Sequence, residues 1–232
     1  MAFFDRLALL SPLDAAAVAM LLAGWQALGF VIEREGARRP SVAALMMAHR
    51  RAWMRQMITR QPRIFDAAIL STLRQGTTFF ASTLVIAIGG VIALLGNAER
   101  LAGVADELGT AAPVVVYEMK LGLVAILLTN SFLRFVWSNR LFGYCAILMA
   151  AVPNDPDDPE AGFRAGQAAD LNIRAAWNFN RGLRGTYVSL AALAWLAGPL
   201  PLLAASVAVL WTMWSREYWS TTRDILTRGR PD

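Results

Sequence analysis

The sequence has few residues of the kinds that build catalytic or metal sites. It contains one cysteine, Cys145, and one histidine, His49. A single cysteine excludes an internal disulfide and a cysteine metal cluster, and a single histidine without an obvious companion does not predict a triad or a zinc site. The motifs G-x-S-x-G, H-E-x-x-H, G-x-x-x-x-G-K and G-x-G-x-x-G are also absent. We therefore expect a protein that is not an enzyme and that holds no metal or cofactor.

Charged residues are also scarce. Only 17% of the 232 residues are charged, whereas 56% are hydrophobic, and the mean hydropathy is +0.44. This composition predicts an all-α integral membrane protein, with residues 1–232 forming a single domain. Lysine is rare too, since Lys120 is the only lysine among 22 basic residues. Such usage is typical of a GC-rich genome and favours a bacterial source.

Four apolar segments are long enough to cross a bilayer as helices, which requires about 20 residues. The predicted spans are approximately residues 13–32, 77–97, 114–137 and 186–214. The second is the end of one continuous helix expected from Pro62 to Gly96. The fourth is interrupted by Gly198, Pro199 and Pro201, and we expect it to be one kinked helix, with a re-entrant hairpin as the alternative.

Basic residues predict which ends of these spans are cytoplasmic. Glu33–Arg74 carries nine arginines against three acids, so residues 33–76 and 138–185 are expected in the cytoplasm and the N-terminus in the periplasm of a bacterial inner membrane. The residues that flank the first span favour a retained helix over a cleaved signal peptide. Residues 98–112 are expected to be a short acidic loop outside. The side of the C-terminus stays open, because a kinked crossing places it outside while its arginines favour the inside.

Two cytoplasmic segments have apolar faces without being long enough to cross. A helix opening at Pro40 and Ser41 places Met46, His49, Trp53 and Met57 on one stripe. It suits either the lipid headgroup layer or packing against the ends of the spans. The segment Leu141–Val152 is expected to lie along the interface, dip into it or pack under the other helices.

Two polar motifs contain the candidate binding residues. SFLRFVWSNRLFGYC places arginines among aromatic residues where the third span reaches the cytoplasmic interface, and WNFNRGLRGTY forms a second patch. We expect the two motifs to meet and to hold an anionic lipid headgroup or a partner's carboxylate, because the planar guanidinium suits both. The alternative is that they only anchor helix ends. The candidate residues are Arg134, Trp137, Asn139, Arg140, Tyr144, Asn178, Asn180, Arg181 and Arg184.

Three segments resemble a known bacterial family. They are FDAAILSTLRQGTTFFASTLVIAIGGVIALLG, ELGTAAPVVVYEMKLGLVAILLTNSFLRFVWSNRLFGYCAIL and WNFNRGLRGTY. In this order they resemble the family catalogued as domain of unknown function 599, over roughly Leu13 to Arg223. Leu141 and Gly143 stand where the family pattern has Gln and Asn. The resemblance implies an inner-membrane protein of about four helices and implies no reaction.

Two classes of function fit these features. The first is a non-catalytic scaffold or accessory subunit that contacts lipid headgroups, copies of itself or a larger membrane complex. The second is the protomer of a homo-oligomeric channel or small-solute transporter, although the spans carry few polar groups. The positions of Gln26 and Asn130 discriminate between the two classes. If their side chains face an axis shared by several copies, a pore is favoured. If they pack against neighbouring helices of the same chain, a scaffold is favoured. Despite a pI of about 10.1, the basic residues cluster where topology requires them, so no nucleic-acid partner is expected.

Overall fold

The computed structural model describes residues 9–34, 36–107 and 112–228, and the regular elements in these ranges are all helical. The predicted all-α class is therefore confirmed. The helices are α1 (Pro12–Glu33), α2 (Val42–Ile58), α3 (Ile64–Leu95), α4 (Ala98–Glu107), α5 (Val114–Ala151), α6 (Pro159–Leu193), α7 (Pro199–Tyr218) and α8 (Thr221–Thr227), and a 3₁₀ helix occupies Ala194–Ala197.

Three of these helices, α1, α3 and α5, are long and apolar enough to cross a membrane. Each exposes large apolar side chains, among them Phe30 on α1, Ile86 on α3 and Ile126 on α5. Side chains of this kind are stable in contact with lipid but not with water. α3 is unbroken over 32 residues, about 48 Å, as predicted for Pro62–Gly96. The chain thus has the architecture of a multi-span membrane protein.

The acidic loop predicted for residues 98–112 is wrong over most of its length. Residues Ala98–Glu107 form α4, and the carbonyl of Asn97 accepts hydrogen bonds from the amides of Arg100 and Leu101. The helix forms because Ala, Glu, Arg and Leu have high helix propensity, and their acidic composition does not oppose it. Residues 108–111 lie outside the described part of the chain.

The described residues fall into two compact units. The first unit contains those of 1–31, 84–131 and 183–215, and the second unit contains those of 32–83, 132–182 and 216–228. α1, α3, α5, α6 and α7 contribute residues to both. The prediction of one domain over residues 1–232 stays a prediction.

In the first unit the chain reverses direction after α6. α6 ends at Leu193, and Gly198 takes a φ of 122°, which favours glycine. Trp195 Nε1 donates a 2.6 Å hydrogen bond to Asp14 in the first turn of α1, while Leu210 lies beside Gly24. α7 therefore runs in the same direction as α1. The single kinked helix predicted for 186–214 is wrong, because the backbone turns back at Gly198.

The second unit has a core made of α2, α3, α5 and α6. Met54 and Met57 of α2 pack with Leu70, Phe142, Cys145 and Met149, and α6 contributes a face of alanines. The alanines that α6 contributes to this core are Ala161, Ala165, Ala168, Ala169 and Ala175. Leu141–Val152 continues α5 and packs into this core. Trp53 and Met57 of the α2 stripe pack here, whereas His49 is exposed, so these two residues support the packing alternative.

Candidate functional site

The two candidate motifs lie on antiparallel stretches of α5 and α6, and their candidate residues apart from Arg184 belong to the second unit. Arg134 Nη1 lies 3.4 Å from Asn178 Oδ1, and this contact joins the motifs directly. One helical turn further, Ser138 Oγ donates to the carbonyl of Ala175 at 2.7 Å. The long distance at Arg134 indicates a weak hydrogen bond. A direct polar contact therefore joins the two motifs within the second unit.

Aromatic rings pack around this meeting point. Phe135 stacks on Phe80, with ring centroids 5.2 Å apart, and meets Phe179 edge to face at 5.4 Å. Gly182 lies so close to Phe135 that an added Cβ would be 2.9 Å from the ring. Gly182, the first glycine of the NRGLRG sequence, is thus needed for helix packing. The sequence alone did not predict this role.

Arg181 already has a carboxylate partner within the chain. Its Nε donates to both oxygens of Glu33, at 2.9 and 3.0 Å, and its Nη2 also donates to Glu33 Oε2. These hydrogen bonds raise the pKa of Arg181 above its usual value. Arg184 belongs to the first unit and is buried. Neither arginine presents a vacant guanidinium to an outside ligand.

Asn139 joins α5 to α3. Its Nδ2 donates to the hydroxyls of Thr77 and Thr78, at 2.9 and 2.8 Å, and lies 3.4 Å from the carbonyl of Arg74. One amide group thereby reaches several acceptors near the point where the apolar part of α3 begins. Its role in this structure is to hold two helices in register.

The three remaining α5 candidates, Trp137, Arg140 and Tyr144, lie on an exposed stripe of five residues, which we call the α5 ridge. Its members are Leu133, Trp137, Arg140, Tyr144 and Ile147, and spacings of four, three, four and three residues place them on one face. Arg140 Nε donates to Tyr144 Oη at 2.5 Å, and the guanidinium lies 5.6 Å from the ring centroid. Trp137 is 47% exposed. An aromatic and cationic ridge of this type suits contact with lipid headgroups or another protein.

Asn180 lies elsewhere, in a small cavity of about 230 Å³ in the second unit that Arg50, Trp177 and Glu217 also line. Arg50 donates to Asn172 Oδ1, and burial lowers the pKa of Arg50. Asn172 Nδ2 in turn lies 3.7 Å from the Cys145 sulfur. Asn180 therefore does not join the contact between Arg134 and Asn178.

Sequence reasoning missed a buried carboxylate, Asp66. It is fully buried, and its Oδ1 accepts hydrogen bonds from Trp53 Nε1, at 2.7 Å, and from Arg60. Its Oδ2 has no hydrogen-bond partner in the described part of the chain. A signal was present, because Asp66 is the only acid in the apolar sequence of α3 and a lone acid there is expected to be paired.

A second missed feature is a groove of about 600 Å³ in the second unit. It lies between α3 and α5 and touches the end of α2. Polar side chains on its walls are Arg63, Ser71, Arg74, Gln75, Thr78 and Asn139, and the apolar ones are Met57, Ala67, Leu70, Ala146, Met149 and Ala150. Arg74 and the alanines carried no sequence signal for a site, because each is ordinary at a helix surface.

Gln26 and Asn130, the two discriminating amides, are both exposed in the first unit. Neither side chain has a hydrogen bond to another described residue. Both lie on helices that are candidate membrane spans. An amide on such a helix gains stability from a hydrogen bond to another helix.

Comparison with known proteins agrees with the resemblance seen in the motifs. Residues 16–222 match the family described as "Protein of unknown function, DUF599". The chain belongs to this family. No curated protein and no solved structure matches the chain. Membership covers α1 to α7 and so includes both units of this DUF599 protein, but it brings no reaction, ligand or partner.

Proposed function

We propose that this protein is a non-enzymatic scaffold or accessory subunit of the bacterial inner membrane. It contacts lipid headgroups or partner membrane proteins through its cytoplasmic side. The observation that carries the proposal is the α5 ridge, where Trp137, Arg140 and Tyr144 are exposed while Asn139 and Arg181 are engaged within the chain. Of the nine candidate residues, Trp137, Arg140 and Tyr144 are the three whose side chains are exposed.

The proposed topology places the C-terminus in the cytoplasm. Glu217 accepts a 3.0 Å hydrogen bond from the amide of Ala43, and Arg39 donates to the carbonyl of Tyr218 at 3.0 Å. Residues 216–228 therefore lie on the same side as the arginine-rich segment 33–76, which agrees with the positive-inside rule. In this arrangement α6 returns the chain to the outer side. α7, with 20 residues and about 30 Å in length, is the fourth full span beside α1, α3 and α5.

Native mass spectrometry of protein extracted gently from its own membrane tests this function. We expect a small number of copies together with a different partner chain. The double variant Trp137→Ala/Arg140→Gln should lower partner recovery at least tenfold, because it removes the aromatic ring and the charge of the ridge. Arg51→Gln is the matched control, since Arg51 is also exposed but lies on α2. Equal recovery with both variants would eliminate the ridge as the contact surface.

A specific observation also favours the second class, a homo-oligomeric channel or small-solute transporter. Gln26 and Asn130 are exposed on candidate spans and are not packed within one chain. In a ring of copies these amides would lie at the contacts between subunits or along a polar path. The same mass spectrum decides between the classes, because a closed ring of identical copies without a partner chain supports the channel. Gln26→Leu together with Asn130→Leu should then reduce the number of copies.

A further inference from the structure

A small cavity in the second unit lies between α2 and α6, beside the end of α7. Its volume is about 230 Å³. Because a cavity of about 150 Å³ holds benzene, this one has room for a molecule half as large again, about nine non-hydrogen atoms. Every lining residue is buried or half-buried, and they are Val42, Ala43, Met46, Met47, Arg50, Ile173, Ala176, Trp177, Asn180 and Glu217.

Arg50 is the positive side chain of this cavity. Its guanidinium donates to the side-chain oxygen of Asn172, which is fully buried, and this bond fixes where the charge lies. No carboxylate within the described ranges forms an ion pair with Arg50. A guanidinium has more donors than this one bond uses, and a neutral amide does not balance its charge. Since burial lowers the pKa of Arg50, an anionic group in the cavity would stabilise the charged form.

Glu217 is the negative side chain of the cavity and lies towards its other end. Glu217 Oε2 accepts a 3.0 Å hydrogen bond from the amide of Ala43, in the first turn of α2. Arg50 stands about two helical turns, or about 10 Å, further along the same helix. The two described residues Arg50 and Glu217 form no ion pair with each other. The cavity thus presents one positive and one negative group that do not neutralise one another.

Two further polar side chains line the cavity on α6. They are Trp177 and Asn180, which lie about one helical turn apart in the second polar motif. Neither side chain has a hydrogen bond to another described residue. The indole ring attracts cations, and the amide can both donate and accept. The walls also include apolar side chains such as Met46, Met47 and Ile173, so a ligand that fills the cavity needs an apolar body as well as polar groups.

We propose that this cavity binds an α-amino acid with an apolar side chain, such as leucine or methionine, whose size matches the cavity. Its carboxylate accepts from Arg50, and its ammonium group donates to Glu217. A carboxylate accepts several hydrogen bonds, so Glu217 keeps its bond with Ala43 when the ligand is present. The two charged groups of an α-amino acid share one carbon. With a hydrogen bond of about 3 Å at each end the ligand spans about 9 Å, close to the spacing of Ala43 and Arg50 along α2.

The amino-acid site is separate from the α5 ridge, on which the proposed function rests. The cavity shares no residue with the ridge, and its lining residues all belong to the second unit. Binding of a free amino acid therefore reports on the cavity, whereas recovery of a partner chain reports on the ridge. Failure of one proposal is thus distinguishable from failure of the other.

Isothermal titration calorimetry of the detergent-solubilised full chain tests the site. The probes are L-leucine and L-methionine, together with isocaproate, which is leucine without its ammonium group, and isoamylamine, which is leucine without its carboxylate. We expect saturable binding of both amino acids, with one molecule per chain. Each analogue should bind at least tenfold more weakly than leucine, because it leaves one charged side chain of the cavity without a partner.

Two variants remove the charges of the cavity one at a time. Arg50→Gln should weaken leucine binding at least tenfold, and Glu217→Gln should do the same while leaving isocaproate binding unchanged. The new amide at position 217 still accepts from Ala43, so folding is preserved. Arg51→Gln is the matched control, since Arg51 has the same charge at the next position of α2 but is exposed and does not line the cavity. Circular dichroism checks that each variant keeps its helix content.

Three results would overturn the proposal. Absence of saturable binding of leucine and methionine to the folded wild-type chain at millimolar concentration removes the site. Equal affinity for leucine and isocaproate would assign the cavity to a simple carboxylate instead. Wild-type affinity for leucine in both Arg50→Gln and Glu217→Gln would place the binding elsewhere on the protein.

Discussion

The two units satisfy their polar side chains in different ways. In the first unit, the hydroxyls of Ser131, Ser189 and Ser206 each donate to the carbonyl four residues earlier in their own helix. In the second unit, Arg63 and Ser138 donate to carbonyls of other segments, and Asn139 joins two helices. A hydroxyl that donates to a carbonyl of its own helix does not hold a neighbouring helix in place, whereas a hydrogen bond between helices does.

This difference indicates what determines helix contacts in each unit. In the first unit close packing does so, as where Gly185 lies directly against Ser131 and Trp25. In the second unit directed polar contacts are added to an apolar core. Substitutions should therefore act through steric fit in the first unit and through lost charge-assisted hydrogen bonds in the second.

The largest effect is expected at Asp66 in the second unit. Asp66→Ala leaves Trp53 Nε1 and Arg60 without their buried acceptor, which should lower the free energy of unfolding by about 3 kcal/mol. The measurement is unfolding with sodium dodecyl sulfate in mixed micelles, followed by circular dichroism. Asp170→Ala is the control, because Asp170 is exposed and lies 3.8 Å from Arg51, so it should change stability by under about 0.5 kcal/mol. Similar losses for the two variants would refute the importance of the buried network.

A smaller loss is expected from overpacking the first unit. Gly185→Leu places a side chain against Ser131 and Trp25 and should cost about 2 kcal/mol in the same unfolding measurement. Gly29→Leu is the matched control in the same unit, since an added Cβ there meets nothing within 4 Å. The control should raise stability by about 0.5 kcal/mol through higher helix propensity. A loss of equal size at Gly29 would show that steric fit is not the cause.

The smallest effect is expected where the first unit does contain a hydrogen bond between segments. Trp195→Phe keeps an aromatic six-membered ring but removes the indole N–H that donates to Asp14, and should lower stability by about 1 kcal/mol. Ser206→Ala removes a hydroxyl that bonds only within α7, and should be close to neutral. If Ser206→Ala proved the more damaging of the two, the contrast between local and interhelical hydrogen bonds would be wrong.

Much of the helical architecture could be predicted because it depends on local sequence. The apolar lengths of α1, α3 and α5 suffice for their assignment, and Ser41 caps α2 by accepting from the amide of Ala44. The reversal at Gly198 could not be predicted in this way. A Gly-Pro pattern is compatible with a kink and with a turn, and contacts between Trp195 and Asp14, 181 residues apart, decide between them.

The candidate site could be predicted only in part, for a similar reason. Arg140 and Arg181 have comparable sequence surroundings, with aromatic and polar neighbours. Arg181 is engaged by Glu33, 148 residues away, whereas Arg140 bonds, among the described residues, only to Tyr144 in its own helix. Arg74 of the groove, whose side chain has no hydrogen bond or ion pair with another described residue, stood in a plain helical sequence. The availability of an arginine is set by distant partners, which periodicity and composition do not encode.

The alanine face of α6 limits how this protein can change during evolution. Ala161, Ala165 and Ala168 are each at most 1% exposed and lie in the core of the second unit. A larger residue at any of them would require a simultaneous reduction in a facing side chain, so we expect these positions to accept little beyond glycine or serine. Gly143 and Ala67 have open space or solvent beside them and are free to diverge. Homologous chains could therefore vary the exposed residues beside α3 and α5 while keeping the same helix packing.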